Sequence, residues 1–357
     1  MSSIQIKQIK CPECGGQANS IGLFSSSKKC VYCHTEFVVT GTMEKEMEVP
    51  ERILPFNTNR EDFEKEVLTL FAQEPYAPND IFDFAAFKDI DGVFLPMYLY
   101  EGKYECSWNC SVGYYENEVV ASSDGKSVKN KQVLRYRPQS GTTKRDFAIV
   151  CAAYEGEEIK PELIEYARAL YYDRDAAKSF DEKYLEDYDF VLHNLDKEYT
   201  WDKYGINSVE YIAEQDSLEQ VPGDTYKDFR CSVSTDEKHK GRLVFLPFWM
   251  VYYDYNNEQH YVIMDGTGKS GLTGSTPIDE ERVKAVNKWH DLAKYVKWGA
   301  WASLIAILWW VWGIPLVAWL AYFSIKFYAK FNENKIIKEN KKIRETKLKE
   351  ILDGGNN

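Results

Sequence analysis

Four cysteines near the N-terminus are the residues whose type and spacing point most directly to chemistry. The segment Cys11-Pro-Glu-Cys14 is followed, after 15 intervening residues, by Cys30-Val-Tyr-Cys33. A Cys-x-x-Cys turn places two thiolates on one metal ion, and two such turns at about this spacing form a zinc site. We therefore predict that Cys11, Cys14, Cys30 and Cys33 bind one structural Zn²⁺ ion.

Two alternatives for these cysteines are weaker. A redox Cys-x-x-Cys pair needs a thioredoxin-like setting, which the surrounding sequence does not offer. His34 follows Cys33 directly, but four thiolates already complete a tetrahedral shell. A module of about 40 residues has little apolar core, so we expect the metal to contribute to its folding.

The segment Asp265-Gly-Thr-Gly-Lys-Ser270 resembles part of a phosphate-binding loop. That motif needs a second glycine where Ile263 stands, and a helix must follow the loop. The residues after Ser270 do not favour a helix. We therefore predict a strand, a turn and a second strand here, without a nucleotide site.

The remaining candidates for catalysis are scattered. Cys106 and Cys110 lie on one face of a predicted strand, and we interpret them as buried thiols; the alternative is half of a second metal site. The carboxylates of 155–198 are predicted to form a solvated acidic face. A cysteine–histidine pair would need one of four histidines to approach a thiol, which the sequence does not indicate: His193, His239, His260 and His290.

The composition places these residues in an α+β chain with a β-rich body. The chain has 357 residues, of which 25 are tyrosine, and tyrosine favours strands. Asn59 is predicted to cap a helix over 59–73, and Pro161 to open another. Strands are expected over 92–155, with 131–137 and 143–153 pairing across a turn at 138–141, and a second group of strands over 207–272.

The predicted domains follow the chain in order. They are a zinc ribbon (1–40), a linker (41–58), a β-rich body (59–280), a membrane segment with basic flanks (281–331) and a charged helical tail (332–357). The body contains Val-Phe-Leu-Pro twice, each time before an aromatic strand. This repetition indicates an internal duplication with halves 59–160 and 181–280; the alternative is two unrelated aromatic hairpins.

The stretch 299–325 carries no charge over 27 residues. A bilayer core needs about 20 apolar residues in a helix, so this stretch predicts a membrane anchor. Lysine and arginine flank it on both sides, which favours both flanks in the cytoplasm. One tilted helix with a kink at Pro315 and a re-entrant hairpin turning at Gly313-Ile-Pro315 both remain open.

Charge and the first residues bear on compartment and partners. The net charge is −12, and only the ends of the chain are basic, so we do not expect nucleic acid as a partner. The N-terminus lacks the pattern of a signal peptide, so we expect reduced thiols and a body in the cytoplasm.

The order of the motifs resembles a known family. The order comprises the cysteine ribbon, Leu54-Pro-Phe, Gly92-Val-Phe-Leu-Pro, Arg135-Tyr-Arg-Pro-Gln-Ser-Gly141, Phe245-Leu-Pro-Phe-Trp, the Asp265 turn, Gly274-Ser-Thr-Pro and the terminal anchor. The chain is similar to uncharacterised bacterial zinc-ribbon membrane proteins, often labelled TFIIB-type zinc ribbon or primosomal-helicase-like proteins. The resemblance implies this architecture, with a membrane part that often comprises two helices, and no established activity.

We therefore expect a membrane-anchored binding or adaptor protein with a protein partner that the sequence does not name. Two other classes remain open. One is an enzyme whose site is assembled from distant residues of the body, and the other is a nucleic-acid binder that uses the ribbon.

Overall fold

The computed structural model of the chain describes residues 3–20, 27–30, 35–84, 90–121, 128–156, 161–168, 170, 172–236, 241–306 and 313–354. The chain divides into two compact units. The first comprises Met1–Phe56 and Val93–Phe248, and the second comprises Asn57–Gly92 and Trp249–Asn357.

The described strands run along most of the chain. Their bounds are Ser3–Lys10 (β1), Gln17–Ser20 (β2), Ser27–Lys29 (β3), Glu36–Val38 (β4), Met43–Glu48 (β5), Arg52–Ile53 (β6), Ile90–Ala121 (β7), Val128–Ala152 (β8), Lys178–Ser179 (β9), Asp189–Phe190 (β10), Thr225–Thr235 (β11), Arg242–Tyr255 (β12), Glu258–Asp265 (β13) and Thr273–Gly274 (β14).

The described helices are mostly short except near the C-terminus. Their bounds are Arg60–Gln73 (α1), Ile81–Phe84 (α2), Pro161–Arg168 (α3), Lys197–Thr200 (α4), Ile206–Leu218 (α5), Glu280–Ala306 (α6) and Gly313–Gly354 (α7). A 3₁₀ turn covers Glu182–Leu185, and a π-helical turn covers Trp201–Gly205.

The first unit begins with a three-stranded antiparallel sheet in the order β2-β1-β5. Strand β5 lies inside 41–58, which we interpreted as a linker, and β6 lies there too. Ile6 and Met47 of this sheet are buried in one cluster with Phe94 and Phe245 of the body. Six residues of this segment in β5 and two in β6 are therefore built into the sheets, and Met47 packs in the core cluster.

The long hairpin of β7 and β8 dominates the first unit. Its register runs from Met97 opposite Ala152 to Ala121 opposite Val128. The predicted turn at 138–141 is wrong, because β8 continues straight through it. Gly141 lies opposite Trp108, and a Cβ there would meet the indole at 2.4 Å. Because Gly141 has no side chain, it leaves space for the Trp108 ring.

Other strands also pair with β7. Strand β10 pairs with it parallel, on the edge opposite to β12, and β11 pairs with it antiparallel. Residues 206–218 form helix α5 rather than the start of the second strand group. Val209, Ala213 and Ser217 are buried at a spacing of four residues, which is one face of a helix.

Aromatic side chains fill the core between these elements. Tyr98, Tyr100 and Tyr104 of β7 are buried in one cluster with Trp201 and with Val209 of α5. Their alternation along β7 directs them to the same face of the sheet. The prediction of a mixed α+β chain with a large β-rich body is confirmed.

The second unit contains α1, the rest of β12 and β13. Asn59 caps α1 as predicted, because its side chain accepts a hydrogen bond from the Asp62 amide at 2.8 Å. Phe63 stacks on Trp249 with ring centroids 6.3 Å apart, and Phe71 meets Tyr253 edge-on at 5.3 Å. These contacts hold α1 against β12.

Helices α6 and α7 of the second unit lie antiparallel. The rings of Trp289 and Tyr328 are 4.8 Å apart, and His290 Nε2 lies 3.0 Å from Glu333 Oε2. One straight helix would place residues 289 and 328 about 58 Å apart. The single-helix alternative is therefore wrong, and the uncharged stretch is divided between two helices. No helix in the described part of the chain has the length and apolarity to cross a bilayer.

The predicted charged helix over 332–352 forms the second half of α7. Its interpretation as a solvated or membrane-surface helix is incomplete, because Arg344 is fully buried. Its guanidinium donates to the Ala77 carbonyl at 2.8 Å and to the Glu74 carbonyl. The tail helix is therefore packed against the end of α1.

Candidate metal centre

The first cysteine loop is held by backbone hydrogen bonds. The Cys11 amide donates to the Gly16 carbonyl at 2.8 Å, and the Gly15 amide donates to the Cys11 carbonyl at 3.0 Å. Gly15 has φ +76°, a left-handed conformation that glycine adopts without strain. The Gly16 amide then donates to Cys14 Sγ at 3.4 Å, which is the contact expected in a metal knuckle.

The second cysteine loop closes in the same way. Strands β3 and β4 pair with Lys29 opposite Glu36, and the Cys30 amide donates to the Thr35 carbonyl at 3.0 Å. Cys33 lies in 31–34, outside the described residues. The structure therefore describes three of the four predicted ligands.

The three thiols lie close together. The sulfur atoms of Cys11, Cys14 and Cys30 are all within 4.8 Å of one another, and those of Cys14 and Cys30 are 3.6 Å apart. Two sulfurs on one tetrahedral zinc are about 3.8 Å apart, given a Zn–S bond of about 2.3 Å. A disulfide would need about 2.05 Å. The separation therefore fits joint ligation of one metal ion.

The burial of the thiols agrees with this geometry. Cys11 and Cys30 are each 2% exposed, whereas Cys14 is exposed. Thiolates so near one another repel unless a cation lies between them, and burial increases that repulsion. The cluster can therefore hold a metal ion, with two ligands inside the fold and one at its surface.

Polar contacts attach the ribbon to the body of the first unit. The Asn19 side chain donates to the Phe190 carbonyl at 2.9 Å and accepts from Gln8 at 2.8 Å, and both side chains are buried. Lys28 forms an ion pair with Asp189. The sequence does not indicate the contacts of Asn19 and Lys28 with the body, because those partners are more than 160 positions away along the chain.

The other described cysteines have a different environment. Cys106 and Cys110 are buried as predicted, and Cys231 lies across from Trp108, between them. Burial, followed by the proximity of Cys106, raises the pKa of Cys231 to about 11. Metal binding needs a thiolate. Within the described residues, no second group of three ligands is close enough to hold an ion.

The turn after Asp265 has the predicted strand–turn–strand form. The Asp265 carboxylate accepts from the amides of Thr267 at 2.9 Å and Ser270 at 3.2 Å. Gly268 adopts φ +73°, and β14 follows rather than a helix. Amides that would face a phosphate in a nucleotide loop are therefore directed at a carboxylate of the chain.

A cleft of about 800 Å³ opens in the first unit beside His193 and Tyr98. His193 Nε2 lies 3.6 Å from Glu48 Oε2, and the Tyr98 hydroxyl donates to the Leu195 carbonyl at 3.0 Å. Burial, helped by Glu48 and Asp196, raises the pKa of Tyr98 to about 12. His193 is therefore paired with Glu48, and Tyr98 with the Leu195 carbonyl. Tyr98 keeps its proton at neutral pH.

The described histidines have partners other than thiols. His193 pairs with Glu48, His290 pairs with Glu333, and His260 stacks on Tyr253 with ring centroids 5.4 Å apart. His239 lies outside the described residues. The contacts found therefore do not support a cysteine–histidine pair.

The fold and the site together define a mixed α+β chain with a β-rich body and an N-terminal cysteine cluster able to bind a metal. No protein-family model matches the chain, and no solved structure matches it. It is similar to the uncharacterized protein YdjG of Bacillus subtilis (strain 168), with 22% identity over 246 residues. The match covers 66% of this chain and 66% of that relative.

Proposed function

We propose that this chain is a membrane-tethered binding protein. Zinc held by Cys11, Cys14, Cys30 and Cys33 stabilises its ribbon, and the hairpin of α6 and α7 attaches it to the cytoplasmic face of a bilayer. The resemblance to bacterial zinc-ribbon membrane proteins agrees with this architecture. A protein partner is expected at the ribbon.

The separation of the sulfur atoms supports zinc as the ion. Thiolate ligands favour zinc among the common divalent ions, and Cys33 would complete four ligands in the same loop as Cys30. Bound zinc would neutralise the thiolates and join the two loops. The ion then has a structural role, because four protein ligands leave no open position for a substrate.

The antiparallel pairing of α6 and α7 is the observation that carries the membrane tether. It places the basic flanks of the uncharged stretch at the same end of the hairpin, on one side of a bilayer, as the positive-inside rule prefers. The described helical arms of the stretch are 299–306 of α6 and 313–325 of α7, which reach about 12 Å and about 20 Å, less than the bilayer core of about 30 Å. The proposed tether is therefore re-entrant.

Exposed apolar side chains on the ribbon and on the strand that follows it support a binding role. Val38 at the end of β4 is 70% exposed, and Met43 at the start of β5 is 57% exposed. Confinement to a membrane surface raises the effective concentration of such a surface near membrane partners. In the cleft beside His193 and Tyr98, the polar groups already have partners within the chain, which favours a binding role over catalysis.

Extraction with alkaline carbonate tests the tether. Membranes that contain the intact chain should retain it, whereas the double variant Ile305→Lys and Leu316→Lys should be released, because charges are placed in the apolar stretch. Ile343→Lys changes an exposed residue outside the stretch and serves as the control. Release of the unaltered chain contradicts the tether.

Affinity purification from detergent extracts tests the binding role. The intact chain should retain a reproducible partner that Val38→Asp loses. Tyr211→Asp is the matched control, because Tyr211 of α5 is 64% exposed, close to the 70% of Val38. A partner that both variants retain excludes this ribbon surface, and no reproducible partner contradicts the adaptor role.

A further inference from the structure

We infer that the lipid-facing surface of the hairpin extends past its uncharged stretch, as a belt of side chains in the headgroup layer of an anionic bilayer. The inference rests on the proposed tether and adds the extent of the surface and the class of lipid. The belt comprises Leu292, Tyr295 and Trp298 of α6 with Phe323, Phe327 and Phe331 of α7.

The belt is exposed although its residues are large and apolar. Tyr295 and Phe327 are each 75% exposed, Trp298 is 77% exposed and Phe331 is 58% exposed. The spacing is three residues on α6 and four residues on α7, so each set forms one stripe on its helix. Patches of this kind mark a surface that another phase or molecule covers.

The two stripes lie at the same level of the hairpin. Trp289 contacts Tyr328 and His290 contacts Glu333, so residues near 295 are level with residues near 325. The inner faces of the helices are closed around Ala293 and Ala329, which are 6% and 1% exposed. The belt is therefore directed away from the helix pair.

The belt extends through the headgroup layer on both helices and slightly beyond it. Phe331 lies six residues beyond the uncharged stretch, or about 9 Å along the helix, and Tyr295 lies four residues before it, or about 6 Å. The headgroup layer adds about 5–8 Å on each side of the hydrocarbon core. Aromatic rings with a polar edge favour this layer.

Charge specifies the kind of bilayer. No acidic residue occurs between Asp291 and Glu333, and the charged residues in that range are four lysines. They stand beside the belt: Lys294, Lys297, Lys326 and Lys330. Long lysine side chains reach the headgroups while their stems cover apolar surface, and positive charge prefers anionic lipids.

A second copy of the chain is the other candidate for covering the belt. A seam between helices needs apolar positions that continue for several heptads. On α7 the stripe ends at Phe331, because the next positions on that face are the exposed residues Asn334, Lys335 and Lys338. Because the apolar stripe on α7 ends abruptly, a bilayer boundary explains it better than a partner helix does.

Depth-dependent quenching in the full-length chain tests the belt. An environment-sensitive fluorescent amino acid replaces Leu320, Phe327, Phe331 or, as the control, Ile343, and each protein is reconstituted in vesicles of phosphatidylcholine and phosphatidylglycerol. Nitroxide placed at the lipid headgroup should quench positions 327 and 331 most strongly. Nitroxide within the acyl chain should quench position 320, and position 343 should respond to neither.

Further measurements distinguish failure of the belt from failure of the tether. Replacing Lys326 and Lys330 by glutamine should weaken headgroup quenching at position 331, and pure phosphatidylcholine should weaken it too. If the chain resists carbonate but positions 327 and 331 behave like 343, the belt is overturned while the tether stands. If carbonate releases the chain, the tether itself fails. The belt is also overturned if position 327 shows no quenching and two copies of the chain crosslink at that position.

Discussion

The thiols of Cys11 and Cys231 lie in different environments. Cys11 lies within 4.8 Å of two further sulfur atoms in the ribbon, whereas Cys231 lies in the body, where burial raises its pKa to about 11. A thiol that keeps its proton at neutral pH neither binds a metal nor attacks an electrophile. The ribbon cluster could therefore hold a metal ion, whereas the environment of Cys231 favours a role in packing.

His260 is buried without a partner for one ring nitrogen. It is 8% exposed, stacks on Tyr253, and its Nε2 has no hydrogen-bond partner among the residues that the structure describes. Burial lowers the pKa of His260 below its ordinary value of 6.5, although Glu258 and Asp254 oppose this. The folded chain therefore binds the proton less readily than the unfolded chain.

This difference predicts a pH dependence of stability. The contribution of neutral His260 is complete above about pH 6.5 and is lost as the pH falls through the lower folded pKa, because the unfolded chain gains the proton first. His260→Phe keeps the ring against Tyr253 and removes the titrating group. Urea unfolding of both proteins between pH 7.5 and 5 should show a smaller loss for the variant. Equal losses would contradict the prediction.

The ribbon cysteines could be predicted from sequence because their spacing is local. Each Cys-x-x-Cys turn fixes two ligands within four residues, and the two turns are near each other along the chain. The contact of Asn19 with Phe190 spans 171 positions, and no local pattern indicates it. Such partners are set by tertiary packing, which periodicity does not describe.

At the scale of elements, the glycine and the proline of 138–141 led to the wrong prediction of a turn inside β8. The segment 138–141 has the composition of a turn, yet Gly141 gives room to the Trp108 ring inside a continuous strand. A proline is tolerated because β8 pairs only with β7 among the described strands. Helix α1 was predictable, since its cap and its apolar spacing both lie within one element.

Helix α7 joins two environments within one element. Its first half carries part of the exposed apolar belt, and its second half packs against the residues after α1. Arg344 supplies the main polar contact there, with the Ala77 and Glu74 carbonyls, and Asn340 accepts from Asn79 at 2.9 Å. Carbonyls at the end of a helix attract a cation.

Loss of the Arg344 guanidinium should therefore destabilise the second unit. Arg344→Met keeps most of the apolar stem but removes the guanidinium from the Ala77 carbonyl, which then accepts only from Arg282, and from the Glu74 carbonyl, which then accepts only from the Ala77 amide at 3.4 Å. Loss of these charged hydrogen bonds predicts a decrease of about 1–3 kcal/mol in the free energy of unfolding. Lys342→Met removes an exposed charge from the same helix and should change stability little. Denaturant unfolding of both variants in detergent measures the difference, and similar values would show that Arg344 does not anchor the tail.

At the scale of the whole molecule, the proposed account assigns different forces to the two ends of the chain. We propose that a metal stabilises the ribbon, which has too little apolar core to do so alone. We propose that a bilayer covers the apolar surface of the hairpin. The excess of acidic residues lies between these ends along the sequence. The proposed duplication within the body stays a prediction.

Elemental analysis of the purified, detergent-solubilised chain tests the metal centre most directly. The account predicts about one zinc ion per chain, a marked loss of zinc in Cys30→Ser, and unchanged zinc in the control Cys231→Ser, whose thiol lies outside the cluster. Absence of zinc from the intact chain, or equal zinc in the two variants, would contradict it.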